Sequence, residues 1–216
     1  MNDNKILLID KPKGITSFDV IRQLRKKFGI KKIGHAGTLD PLASGLMVVG
    51  VGGGTKRLSD YIKFDKVYEV EMLIGEQRTT GDMEGEIIEE KDVQSLERVD
   101  VERVVNEMIG THNLSVPAYS AIKVQGEPLY KKARRGEIVE SPVKTMVVYG
   151  AEVVSVVNKD KRCFVNLILH VSSGSYVRSL VEEIGKRLGY PATTKELRRT
   201  RIGEYDIAHA QRLSDT

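Results

Sequence analysis

GHAGTLDPLASGLMVVGVGGG, running from Gly34 to Gly54, is the stretch around which the rest of the chain is organised. Ten of its residues are Gly, Ala or Ser, and among them stands a single acid, Asp40, followed by Pro41. The proline biases Asp40 away from the helical region and towards an extended conformation. Small neighbours leave that backbone open to a large ligand. Leu46 to Val51 then forms an apolar run of the kind that makes a buried strand. The stretch predicts a carboxylate on a rigid turn beside a core strand, with His35 five residues upstream. By spacing alone turn punctuation is the better reading, because Asp-Pro pairs and Gly-rich loops mostly just turn the chain. A phosphate-binding loop fails on detail: in GVGGGTK, Thr55 separates Gly54 from Lys56, and Arg57 stands where a magnesium-binding hydroxyl belongs.

With 216 residues, 40% hydrophobic and 30% charged, the chain has material for a full core, as one large domain or one domain with a small insertion. A net charge of +4 permits a polyanionic partner without requiring one. Cys163 is the only cysteine, which excludes an internal disulfide, and four scattered histidines show no ligand spacing, so no metal site is expected. The apolar run in MNDNKILLID is too short for a signal peptide or a membrane span, and a cytoplasmic protein is the default expectation.

Upstream of the loop, Ile6 to Ile9 reads as a strand stopped by Asp10, Lys11 and Pro12. Thr16 or Ser17 caps a helix with Phe18, Ile21, Leu24 and Phe28 at helical spacing, ended by Gly29. Its other face carries Arg22, Arg25, Lys26 and Lys27, and Lys31 and Lys32 follow. Downstream, Thr55 is expected to cap a short helix through Ile62. From Lys66, Tyr68, Val70, Met72 and Ile74 then alternate with other residues at the period of a half-buried strand. Tyr68 on that face reads as a core tyrosine. Asp100 is expected to cap a helix through Ile109. Gln125-Gly126 makes a turn before YKKARR, Tyr130 to Arg135, which suits a phosphate backbone and an exposed base or is a plain amphipathic turn. Lys144 to Val157 and Arg162 to Val171 read as a long hairpin, followed by a helix with Leu180, Ile184 and Leu188 ended by Gly189. Leu197, Arg198, Arg199 and Arg201 form a second basic cluster in the tail, and the absence of linkers or repeats predicts a single domain over 1–216.

Four separated segments, DKPKGITS (Asp10 to Ser17), GHAGTLDPLASG (Gly34 to Gly45), KVY (Lys66 to Tyr68) and SSGSYVRSL (Ser172 to Leu180), together resemble the TruB-type tRNA pseudouridine synthases. PAYSAIKVQGEPLYKKARRG, from Pro117 to Gly136, and ELRRTRIG, from Glu196 to Gly203, extend the match over nearly the whole chain in order. The resemblance implies a mixed α/β fold with a largely antiparallel central sheet, flanking helices and an RNA-binding cleft. It also implies isomerisation of uridine to pseudouridine at uridine 55 in the T-loop of tRNA, without cofactor or metal. Asp40 matches the family's nucleophilic aspartate, and attack at ribose C1′, attack at base C6 and a glycal route all stay open. Arg178 matches the residue that pairs with the aspartate and holds it ionised. Tyr68 matches the tyrosine that stacks on the flipped base, which displaces the core reading, and Tyr176 and Leu197 match residues lining the pocket. His35 matches the histidine that fills the space vacated by the extruded base. Lys11 is expected to support the loop or a phosphate, with a simple turn residue as the alternative.

The implied partner is tRNA through its T-arm, with no membrane, no obligatory protein partner and a monomeric state. The three basic clusters are expected to flank the cleft. Many family members carry a C-terminal PUA-type domain; with the chain ending at Thr216, no residues remain for it, which puts contacts to the acceptor arm in doubt and leaves weaker binding or reliance on the T-arm alone as the expectation. Two other classes compete: an RNA-folding protein needing only the basic surface and His35, and a guide-dependent relative acting with partner proteins.

Overall fold

The computed structural model describes residues 5–137 and 140–215. The chain opens with strand β1 (Lys5–Lys11) and helix α1 (Ser17–Phe28), then β2 (Ile33–His35) and β3 (Ser44–Val51). A 3-10 turn (Gly52–Arg57) and helix α2 (Leu58–Ile62) lead to β4 (Lys66–Ile74), the hairpin β5 (Glu76–Arg78) and β6 (Ile87–Glu90), helix α3 (Arg98–Glu107) and β7 (Gly110–Ser115). Next come the small hairpin β8 (Lys123–Val124) and β9 (Glu127–Pro128), helix α4 (Leu129–Arg134), the long strands β10 (Val143–Lys159) and β11 (Arg162–Val171), and helix α5 (Val177–Leu188). Strands β12 (Ala192–Ile202), β13 (Tyr205–Asp206) and β14 (Gln211–Arg212) finish the chain. The chain forms two compact units, one from 1–69, 169–174 and 196–216, the other from 70–168 and 175–195.

In the first unit β3 is the organising strand. It pairs antiparallel with β1 along its length, from Lys5↔Val51 to Lys11↔Gly45. At one end it pairs antiparallel with β2, and at the other parallel with β12, through Arg198↔Ser44 and Arg199↔Gly45. Every residue from Gly45 to Val51 is buried, as an uninterrupted apolar run requires. Helix α1 starts at a reciprocal capping box between Thr16 and Asp19 and ends at Gly29 in the left-handed conformation. Its buried face is Ser17, Val20, Ile21 and Leu24, while Phe18 is 58% exposed, so the apolar stripe is rotated from the spacing expected with Phe18 and Phe28. Thr55 does not cap a helix either. It lies inside the 3-10 turn, where its hydroxyl donates to the Gly52 carbonyl.

In the second unit β10 pairs antiparallel with β7, from Val143↔Ser115 to Val148↔Gly110. The β10–β11 hairpin turns through Asp160 and Lys161, both at positive φ. Helix α5 buries Val177, Leu180, Val181 and Ile184 and ends at Gly189. Glu97 stands at the N-cap position of helix α3 without a side-chain capping bond, and Asp100 sits in its first turn, where a carboxylate favours the positive end of the helix dipole. Gln125 and Gly126, both at positive φ, form the expected two-residue turn between β8 and β9. Both units thus combine mixed, mostly antiparallel sheet with flanking helices, the α/β class implied by the sequence; β1–β14 and β3–β12 are parallel exceptions. Among the described residues no helix is long and apolar enough to cross a membrane.

Candidate active site

Asp40 sits half-buried on the loop between β2 and β3, and the backbone on either side of it is tied down. The Ser17 hydroxyl donates to the Leu39 carbonyl and accepts from the Leu39 amide. The Pro41 carbonyl accepts from the Gly14 amide at 2.8 Å and from the Lys11 ammonium at 3.5 Å. The Ala43 amide donates to the carbonyl of Asp40 itself, closing the turn. The DKPKGITS segment is therefore the scaffold of the Asp40 loop. Lys11 is fully buried, and its ammonium also donates to the carbonyls of Pro12 and Ile15. Of the roles weighed for Lys11, loop support is the one this geometry fits.

A second set of ties comes from β12. Leu197 and Arg199 share the buried face of that strand, and Arg199 is only 2% exposed. Its guanidinium donates to the carbonyls of Leu46 (2.8 Å) and Gly37 (3.3 Å), the two ends of the Asp40 loop. The neighbouring Arg198 points the other way, to Asp10 and the Ser44 hydroxyl. The tail cluster is thus no continuous cationic surface: Arg199 is buried, Arg198 is half-buried and paired with Asp10, and Arg201 is the exposed member. His35, at the end of β2, is held below its usual pKa by burial, opposed by a backbone hydrogen bond to Gly37 and reinforced by Arg199.

Tyr68 is buried on the same face of β4 as Val70, Met72 and Ile74. Two residues before it on that face, Lys66 is 5% exposed, with its ammonium on the carbonyls of Ile62 and Phe64 and on the Ser173 hydroxyl. Burial, with Arg199 close by, lowers its pKa to about 8, against the opposing pull of Asp65.

Arg178 and Tyr176 belong to the second unit. Tyr176 caps α5, its amide directed at the Met146 sulfur, and the Lys144 ammonium lies over its ring. Arg178, the second residue of the helix, is buried and donates to the carbonyls of Thr80 (2.7 Å) and Tyr119 (3.1 Å). The Asp82 carboxylate lies 3.6 Å from its guanidinium. Asp82 is itself buried and fixed by the Thr80 hydroxyl and the Glu84 amide. Within the first unit the structure thus assembles Lys11, Ser17 and Arg199 around the Asp40 loop; within the second it assembles Asp82, Thr80 and Tyr119 around Arg178.

Residues 25–177 match the family described as "TruB family pseudouridylate synthase (N terminal domain)". The chain belongs to that family. The tRNA pseudouridine synthase B of Thermosipho melanesiensis is 43% identical over 201 residues, covering 93% of this chain and 64% of the relative. The protein of the same name from Shouchella clausii is 38% identical over 216 residues, covering 99% of this chain and 72% of the relative. Among solved structures, an H/ACA RNP bound to a substrate RNA containing 2′-deoxyuridine contains a chain with a TM-score of 0.72 at 25% identity. A Cbf5-Nop10-Gar1 complex gives 0.73 at 26%. The chain spans about two thirds of the length of these curated relatives and about half of the solved chains.

Within this TruB-family scaffold, three site residues escaped the sequence reading: Ser17 beyond its place as a cap, Asp82 and Arg199. Asp82 lay in a polar loop, TTGDMEG, with nothing to mark it as buried. Arg199 lay in a run of arginines, where only a strand register separates the buried one from its neighbours.

Proposed function

We propose that this chain isomerises uridine to pseudouridine in the T-loop of tRNA, at uridine 55, as a cytoplasmic enzyme acting without a protein partner. The observation that carries the proposal is the fixation of the Asp40 loop, tied at Gly37, Leu39, Pro41 and Leu46 by four side chains or amides from distant parts of the sequence. A plain turn has no need of such ties; a nucleophile that must meet a reacting carbon within a fraction of an ångström does. The N1–C1′ bond breaks, the uracil turns while held, and a C5–C1′ bond forms; the C5 proton leaves and N1 gains one. Asp40 is the nucleophile of this reading, Arg178 the cation that keeps it ionised, and Tyr68 the ring against the flipped base, as the family resemblance assigns them. His35, Tyr176 and Leu197 are the further substrate-binding residues that the family resemblance assigns. The names of the curated relatives support tRNA as the substrate.

Tritium release from C5-labelled uridine in a tRNA transcript, with wild-type protein and with Asp40→Asn, tests the reading. Release by the wild type alone is expected. No release by either, with tRNA binding retained, would favour an RNA-folding protein, which the exposed basic residues of α1, among them Lys26 and Lys27, would serve.

A further inference from the structure

Gly37 and Gly45 bracket the loop that carries Asp40, and both lie against one residue, Arg199. Gly37 has φ +112°, and a Cβ there would lie 3.8 Å from an Arg199 guanidinium nitrogen; Gly45 has φ +108°, and a Cβ there would lie 2.3 Å from the Arg199 carbonyl oxygen. The backbone of Arg199 pairs with Gly45 across the parallel β3–β12 contact, while its side chain reaches over to the Leu46 and Gly37 carbonyls. One residue thus holds the entry and the exit of the loop at once. A planar guanidinium with its donors in a fixed fork suits this task; a flexible ammonium, which acts as a point charge, does not.

A buried cation is costly to desolvate, and it is retained where it does something an apolar side chain of the same size does not. Among the described residues Arg199 forms no ion pair with a carboxylate, and its hydrogen-bond partners are the two loop carbonyls. Its field opposes the charged forms of both His35 and Lys66. General core stability is therefore a poor account of its presence.

We propose that Arg199 is a positioning residue of the isomerisation, a clamp that sets the span of the Gly37–Leu46 loop and thereby the place of the Asp40 carboxylate. The catalytic part of this inference rests on the synthase reading above; the clamp itself does not. Loosening one end of the loop displaces Asp40 without touching the surface that binds RNA, so the loss falls on the chemical step and spares affinity.

The experiment compares wild type, Arg199→Met and Arg199→Lys by amide hydrogen exchange, by single-turnover tritium release and by tRNA binding, each rate normalised to folded protein. Arg199→Lys keeps the buried charge but has no fork to span both carbonyls, so it guards against an Arg199→Met protein that fails to fold. Both variants are expected to exchange the Leu39 and Ala43 amides roughly 10- to 100-fold faster, the loss of one charge-assisted hydrogen bond, with α5 unchanged. The single-turnover rate is expected to fall about 100-fold, as for a misplacement near 1 Å, with the tRNA dissociation constant within about threefold of wild type. Unchanged exchange at Leu39 and Ala43, an unchanged rate per folded molecule, or a loss carried by affinity would each overturn the clamp. A wild-type protein that releases no tritium would overturn the synthase reading and the catalytic role with it, while the exchange data would still decide whether the clamp exists.

Discussion

Ser17 and Leu39 are joined by a two-way bridge: one hydroxyl, at the first residue of α1, donates to the Leu39 carbonyl at 3.0 Å and accepts from the Leu39 amide at 2.8 Å. Both residues are buried, away from bulk water. The bridge locks the residue preceding Asp40 to a helix that is itself capped one position earlier, at Thr16. Position along the chain thus becomes position in space for a carboxylate that lies far away in sequence.

Ser17→Ala should accordingly leave two buried backbone groups without partners. The expected loss is about 2–4 kcal/mol of stability, read as a lower urea midpoint with an unchanged slope. A midpoint equal to that of the wild type would show that the bridge holds nothing.

Gly45→Ala should be worse than Gly14→Ala, although both glycines have positive φ. Gly14, at φ +89°, has nothing within 4 Å of a Cβ, so only the left-handed backbone opposes alanine, at about 1–2 kcal/mol. At Gly45 the methyl would also meet the Arg199 backbone, and either β3 or β12 must move. Thermal melting of the two proteins separates the contributions. Equal shifts would mean that the β3–β12 contact yields without cost.

The parts of this architecture that were legible in the sequence are those written in local chemistry. Leu46 to Val51 reads as a buried strand because every residue is apolar, Thr16 or Ser17 signals a helix start, and Gln125-Gly126 signals a tight turn. Strand β12 was not legible, because in ELRRTR the charges occupy both faces, and arginine is the same letter whether it is buried under a loop or exposed. Its role is decided by a parallel pairing with Gly45, a contact across more than half the chain. Asp82 was hidden for the same reason: its partner Arg178 is close in space and remote in sequence. The family motifs gave Asp40, Arg178 and a supporting Lys11; the holding roles of Ser17, Asp82 and Arg199 were visible only in three dimensions.

Asp82→Asn should destabilise the protein by about 3 kcal/mol, since it removes a buried carboxylate that lies 3.6 Å from a buried guanidinium. Asparagine keeps an oxygen for the Thr80 hydroxyl and the Glu84 amide, so the loop geometry has its own support. The loss therefore reports on the charge. Chemical denaturation gives the stability, and single-turnover tritium release on the folded fraction should show a slower step as well. A variant as stable and as fast as the wild type would remove Asp82 from the account of Arg178.

Lys26 and Lys27 lie exposed in the last turn of α1, whereas Arg25 is turned inward to the Ile33 carbonyl. If the lysines meet phosphates, Lys26→Glu and Lys27→Glu should each weaken tRNA binding and lower the slope of log affinity against log salt by about one. The single-turnover rate at saturating tRNA should stay unchanged. Arg25→Met, by contrast, should lower stability and leave the salt slope as it was. Identical salt slopes in wild type and in both lysine variants would move the RNA surface away from α1.

The pH dependence of stability should carry the mark of Lys66. Its folded-state pKa, about 8, lies below the 10.5 of an ordinary lysine, because burial opposes the charged form. Between those values the unfolded chain binds more protons at this position than the folded one, so stability rises with pH through that window. Below pH 8 the charge is carried in both states and the penalty of burying it is present in full; above about 10.5 it is gone. Other groups titrate in the same range, and a difference between proteins isolates this one. Urea midpoints at pH 7 and at pH 9.5 should rise more in wild type than in Lys66→Met, which has no proton to release. Met also removes the ties to Ile62, Phe64 and Ser173, and that loss should appear equally at both pH values. Parallel pH profiles for the two proteins would mean that the Lys66 ammonium is as well stabilised in the folded chain as in water.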